Sequence, residues 1–266
     1  MSDKLDPITG SNLVLARSLL GSCPVVLLDM NSTFMFGEDR LGPSEDFAAT
    51  YHAVRGRALT AATVASAVLA CVSRMGRLYD DPAHVDDFPS VLEVLADLPE
   101  AMMLPEKERR LLAQVIAHHE LGRIPEAHAA AVWELSRGHR LGLVANIWSP
   151  KDLWVEELAR AGLAEAFTAC VFSSDSRSMK PSPRLFLEAL AGCGVPGSGP
   201  HPTIVCIGDS LRCDVSGAQA VGLRAIWINP TGMAVPADGP QPDVWVPDLR
   251  DLDPETRSSG AGVVVS

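Results

Sequence analysis

Residues 25–33 read VVLLDMNST, four apolar residues closed by Asp29 and then a polar turn. A short apolar run without alternation is what a strand covered on both faces shows. Working outward, four more runs have the same form: LGLVAN (141–146), FTACVFSS (167–174), TIVCIGD (203–209) and RAIWIN (224–229). Helix-like stretches stand between them, at 125–138, 154–162, 182–192 and 213–222, and several end at glycine, as helix C-termini often do. Strands alternating with helices predict a parallel sheet with right-handed crossovers. The expected fold class is therefore α/β, a Rossmann-like parallel sheet core. A late run, DVWVPDLRDL (243–252), adds an edge strand and a short helical turn.

The stretch after the first strand has another character. Helix-like periodic segments fall at 45–60, 61–78, 88–98 and 106–121, with no convincing strand among them. This predicts an inserted all-helical domain at 42–124, with the core formed by 1–41 and 125–257 and a loose tail at 258–266. The 266 residues are 47% apolar and 21% charged, enough for a sizeable core and unlike a disordered or coiled-coil chain. With 22 basic and 33 acidic side chains the net charge is −11, which disfavours nucleic acid and anionic membrane as partners. A few local groups and a metal can still hold a small phosphorylated molecule. The N-terminus lacks the basic start and apolar core of a signal peptide, and no apolar run approaches membrane-span length. Six cysteines without a CxxC pair read as reduced, with Cys23, Cys170 and Cys206 in or beside core runs. A cytoplasmic location and a small-molecule substrate are expected; a homodimer stays open.

Open α/β sheets bind ligands at the carboxyl ends of their strands. Those ends carry Asp29, Asn31 and Thr33 after the first strand, and Ala145 and Asn146 at the second. Lys180 follows the third, and Asp209, Ser210 and Asp214 follow the fourth. Three carboxylates brought together are unstable unless a cation shares them, and oxygen ligands suit Mg2+. An aspartate can also attack a phosphoryl group to give an aspartyl-phosphate. Taken singly, Asp29 could cap a strand, Asp209 and Asp214 could cap a helix, and Lys180 could be a surface lysine.

Together these residues resemble the motifs of the haloacid dehalogenase (HAD) superfamily. DMNST (29–33) resembles motif I, MKPSPRLF (179–186) the motif III lysine, and GDSLRCD (208–214) motif IV, while the helical insert resembles a C1-type cap. The resemblance implies Asp29 as nucleophile and metal ligand, the residue 31 carbonyl as a second ligand, and Asp209 and Asp214 as further Mg2+ ligands. It implies that Thr33 supports the motif I loop and that Lys180 holds both the phosphoryl group and Asp29. Ala145 and Asn146 fall at the substrate-binding end of motif II.

The departures matter as much. Phosphatases of the family carry an acid at position 31, and Asn31 cannot titrate; losing a positioned acid/base costs about 10²–10⁴ in rate. The usual motif II hydroxyl is replaced by Ala145, leaving Asn146 or Ser149 as partial substitutes, and Ser32 stands where glycine is usual. The expected activity is Mg2+-dependent hydrolysis of a small phosphorylated metabolite with a good leaving group. Its rivals are a catalytically degenerate binding protein and a hydrolase of a carbon–halogen or similar bond. Asn31 could equally be an ordinary turn residue. Trp148 could line the pocket or pack, and Met102 and Met103 could face substrate or fill the insert. His118, His119, His128 and His139 read as surface or packing residues.

Overall fold

The computed structural model describes residues 7–195 and 199–252. In chain order these form α1 (Pro7–Gly21), β1 (Val25–Leu28), α2 (Phe47–Ala53), α3 (Ala61–Asp80), α4 (Val91–Asp97), α5 (Glu106–Glu120) and α6 (Glu126–Gly138). β2 (Arg140–Ala145), α7 (Asp152–Arg160), β3 (Phe167–Phe172), the one-turn α8 (Ser173–Ser176) and α9 (Pro183–Gly192) follow. The described chain ends with β4 (Ile204–Gly208), a π-helical turn (Leu211–Val215), α10 (Ser216–Ala220), β5 (Arg224–Ile228), β6 (Val244–Val246) and a 3-10 turn (Leu249–Leu252). The expected tail at 258–266 lies outside the described residues.

The six strands among these residues form one sheet in the order β3-β2-β1-β4-β5-β6, with every pair parallel. Alternation across the pleat explains the unbroken apolar runs. In β1, Val26 and Leu28 pack into the cluster that holds residues of α1, α6 and α7, while Val25 and Leu27 pack against α9 on the opposite face. β3 departs from the expected pattern. It is an edge strand whose residues alternate between partial exposure and exposure before Val171 and Phe172 become buried. Cys170 is therefore exposed, contrary to its reading as a core residue, although all six cysteines are free thiols.

The sequence reading missed α1. Its core-facing residues, Leu13, Ala16 and Leu20, are buried at helical spacing, but Val14 and Leu15 are 70% and 59% exposed. Apolar residues on both faces hide the period. Arg17 ties the helix to the 3-10 turn at Leu249–Leu252 by donating to the carbonyl of Asp251 from Nε (3.0 Å) and Nη2 (2.7 Å).

Helices α2–α5 share a hydrophobic cluster of their own, built on Phe47, Tyr51, Val68, Met75, Leu95, Leu112 and Ile116. Local signals start them: Asp46 accepts from Ala49, Thr60 accepts from Thr63, and Ser90 with Glu93 forms a capping box. α2 is shorter than the expected 45–60 because Arg55 takes a left-handed φ of 71° and the Tyr51 ring lies where a side chain on Gly56 would be. α3 corrects another expectation. With 20 residues and a mean hydropathy of 1.2 it does match a membrane span in length and composition. Here it packs against α2, α4 and α5 and buries Val64, Ala67, Val68, Cys71, Met75 and Leu78. Met102 and Met103 are 50% and 86% exposed, so they do not fill this cluster.

The two connections between insert and sheet run side by side. Phe36 and Arg123 exchange backbone hydrogen bonds of 2.9 and 2.8 Å, and Asp39 and Arg40 donate to the carbonyls of Glu120 and His119.

Candidate active site

β1 delivers Asp29 to the carboxyl edge of the sheet, where its N–H still donates to the Ile207 carbonyl of β4 (2.9 Å). The chain then turns tightly, with the Met30 carbonyl accepting from Phe34 (3.1 Å) and Met35 (3.0 Å). Ser32 sits in this turn at φ 55°, the left-handed region that glycine adopts freely. The turn returns Thr33 beneath the site, and its hydroxyl donates to Asp29 Oδ2 at 2.9 Å.

Lys180 is 2% exposed, and its ammonium bonds both Asp29 Oδ1 and Asp214 Oδ1. Burial works against that charge, yet the two carboxylates hold the lysine well above its ordinary pKa. Asn146 fixes the lysine's backbone: its Oδ1 accepts the Lys180 N–H at 2.7 Å and its Nδ2 donates to the Lys180 carbonyl at 3.2 Å. Asp214 is carried by the π-helical turn and accepts from the Ser210 N–H at 2.9 Å. Asp209 stands at the end of β4, where Trp227 Nε1 donates to its carbonyl at 2.7 Å.

Among the described residues, Asp29, Asp209 and Asp214 offer carboxylate oxygens all within 4.8 Å of one another. Burial, then the charges of Asp29 and Asp214, push Asp209 up to about 8. Asp214 is pushed up to about 6, again by burial first, with Lys180 pulling against it and Asp29 adding to it. Three crowded, partly dehydrated carboxylates with a single ammonium lack positive charge. Their all-oxygen donor set fits a hard divalent cation such as Mg2+.

These groups open into a cavity of about 390 Å³ lined by Asp29, Asn31, Ser32, Tyr79, Asn146, Trp148, Lys180, Asp209, Ser210, Cys213 and Asp214, with Glu38, Asp39 and Glu120. Asn31 Oδ1 is buried without a hydrogen-bond partner. Thr33 and Ala145 do not line the cavity; Thr33 braces Asp29, and the Ala145 methyl is packed in the core. Ser149 is buried away from it as well, so it cannot serve as a substitute donor from its present position. Trp148 both lines the cavity and packs, with its ring 6.2 Å from that of Tyr79. His119 is a packing residue whose ring nitrogens lie within hydrogen-bond distance of Thr50 Oγ1 and the Arg40 carbonyl.

Sequence reasoning missed Tyr79, Glu38, Asp39, Glu120 and Cys213. Glu120 ends α5 and accepts from the backbone N–H groups of Trp148 (2.5 Å) and Ser149 (3.0 Å). Burial outweighs those bonds and pushes its carboxyl up to about 7. Its one signal was its acid type in an otherwise helix-like segment, which does not separate it from a surface residue.

Residues 178–252 match the HAD-hydrolase-like family model. The phosphoserine phosphatase of Thermus thermophilus is 35% identical over 156 residues, 58% of this chain and 60% of that protein. The glyceraldehyde 3-phosphate phosphatase of Pyrococcus abyssi is 28% identical over 129 residues, 47% and 52% of the two chains. The chain thus spans 52–60% of the length of these relatives. Among solved structures, a 2-haloacid dehalogenase from Pseudomonas syringae aligns with a TM-score of 0.59 at 24% identity, over 86% of this chain and 96% of that one. A HAD phosphatase from Thermococcus onnurineus gives 0.55 at 23% identity, over 86% and 95%. The chain thus shares its fold with these structures, and its segment similar to the HAD-hydrolase-like family carries Lys180, Asp209 and Asp214.

Proposed function

We propose that the chain is a Mg2+-dependent phosphatase of small phosphorylated metabolites that works through an aspartyl-phosphate at Asp29. The observation that carries this reading is the meeting of Asp29, Asp209, Asp214 and Lys180 at one buried point of the cavity. An Asp29 oxygen attacks phosphorus, the bond from phosphorus to the leaving oxygen breaks, and its electron pair departs with that oxygen. Lys180 neutralises charge on the phosphoryl oxygens and holds Asp29 in line, while Thr33 fixes the other carboxylate oxygen. Mg2+, held by Asp29, Asp209 and Asp214, would supply further charge neutralisation there. Water then attacks phosphorus, releasing inorganic phosphate and restoring Asp29.

Asn31 does not titrate and so cannot act as an acid or base, and a leaving group that departs as a stable anion, an acyl or aryl phosphate, suits this site. Helices α2–α5, residues 42–124, act as a cap that limits water in the cavity. The free thiols of all six cysteines support a reducing, cytoplasmic setting. Turnover of an aryl phosphate with Mg2+ and with chelator tests the reading. Mg2+-dependent release that vanishes in Asp29→Asn is the expected result. Release that persists in that variant rules Asp29 out as nucleophile.

A further inference from the structure

Ala145 leaves no hydroxyl at the end of β2, and its neighbour Asn146 is committed to the Lys180 backbone. Beside them stands Tyr79, near the end of α3, brought in by the helical insert. Asn146 Nδ2 lies 3.3 Å from the Tyr79 hydroxyl. An amide nitrogen is a donor only, so the tyrosine oxygen is the acceptor and its own proton must point elsewhere. The other neighbour is Cys213 Sγ at 3.4 Å, and sulfur is a weak partner in either direction. Tyr79, Asn146 and Cys213 line the same cavity as Asp29 and Lys180.

The ring is held firmly. The Arg212 guanidinium lies 4.9 Å over its centroid, and the Phe88 ring meets it edge-on at 6.5 Å. Burial, then Cys213, pushes the phenol above its ordinary pKa, and the Lys180 charge is felt at the hydroxyl. The group is therefore a protonated donor at neutral pH, within the field of the site's cation.

We propose that the Tyr79 hydroxyl donates a hydrogen bond to a phosphoryl oxygen of the bound substrate, taking the place of the hydroxyl absent at Ala145. This rests on the phosphatase reading above. A phosphoryl oxygen is a far better acceptor than the cysteine sulfur, and a hydrogen bond to a charged oxygen is shorter and stronger than a neutral one. The donor arrives on the insert, so phosphoryl recognition depends on α3 being seated against the sheet as it is here.

The test is the affinity of the full chain for inorganic phosphate with Mg2+ present, by calorimetry, alongside aryl phosphate turnover. Wild type and Tyr79→Phe are compared, with the melting temperature of each. Tyr79→Phe keeps the ring contacts and should weaken phosphate binding about 10-fold or more. Its melting temperature should stay that of wild type, because the ring contacts with Arg212 and Phe88 remain. Phosphate affinity unchanged in Tyr79→Phe, or a loss that comes with a lowered melting temperature, overturns the assignment. A wild type that binds no phosphate overturns it too. Phosphate binding with the expected pattern but no turnover keeps the Tyr79 assignment and sinks the phosphatase reading instead.

Discussion

At Gly208 the chain carries no side chain because Asp214 fills the space: a Cβ there would meet Asp214 Cγ at 2.3 Å and Cβ at 2.7 Å. Gly208→Ala must push the carboxylate out of the cluster. It should weaken Mg2+ binding at least about 10-fold and cost roughly 1–3 kcal/mol of stability. Metal titration and denaturant melts check both, and unchanged affinity would detach Asp214 from the metal. Asn31 presents the converse case, an amide whose buried oxygen has no partner in a cavity lined by reactive groups. Asn31→Asp should raise turnover of poor leaving groups by about 10²-fold or more. The same rate in both proteins would show that the leaving group takes its proton elsewhere. Asp29 and Asp209 were legible because each directly follows a strand, and Lys180 and Asp214 because they lie in the segments that leave β3 and β4 at the same edge of the sheet. Tyr79 and Glu120 were not, because a tyrosine or glutamate in a helical insert gives no sign of which way it faces until the insert docks.

Among the elements, the junction of α5 with the loop after β2 joins the insert to the sheet. Glu120 caps the loop's N–H groups from the end of α5, and its carboxyl is raised by burial from 4.5 to about 7. A folded state that binds the proton more tightly than the unfolded chain is favoured below the unfolded value and loses that advantage as pH rises through the folded one. The stability of wild type relative to Glu120→Gln should therefore be constant below about pH 4.5, fall towards pH 7 and level off above it. Melts of both proteins across this range decide it; a relative stability that grows with pH would show the carboxylate to be stabilised in place. The same scale explains the readings that failed. α1 carries Val14 and Leu15 on its outer face, and β3 exposes Cys170 because no strand flanks it. Both depend on an element's place in the assembly rather than on its own pattern.

At the scale of the molecule, the parallel sheet was legible in the alternation of strand and helix, and the helices α2–α5 in the helical stretch between the first two strands, whereas the strand order was not read from the sequence. What composition could not reveal is that an acidic chain gathers Glu38, Asp39 and Glu120 into the same cavity as the three aspartates, with Lys180 as its one basic side chain among the described residues. Hydrolysis by this route requires Asp29 to become phosphorylated, and Asn31 makes that event observable. With no carboxylate at position 31 to activate water, dephosphorylation should be slower than phosphoryl transfer from a good leaving group. The direct measurement is acid quenching of the Mg2+-loaded chain during turnover of an aryl phosphate, followed by peptide mass analysis. One phosphoryl group on the peptide that contains Asp29, absent when chelator replaces Mg2+, is the predicted result. Turnover with that peptide unmodified, or a phosphoryl group on another residue, would contradict it.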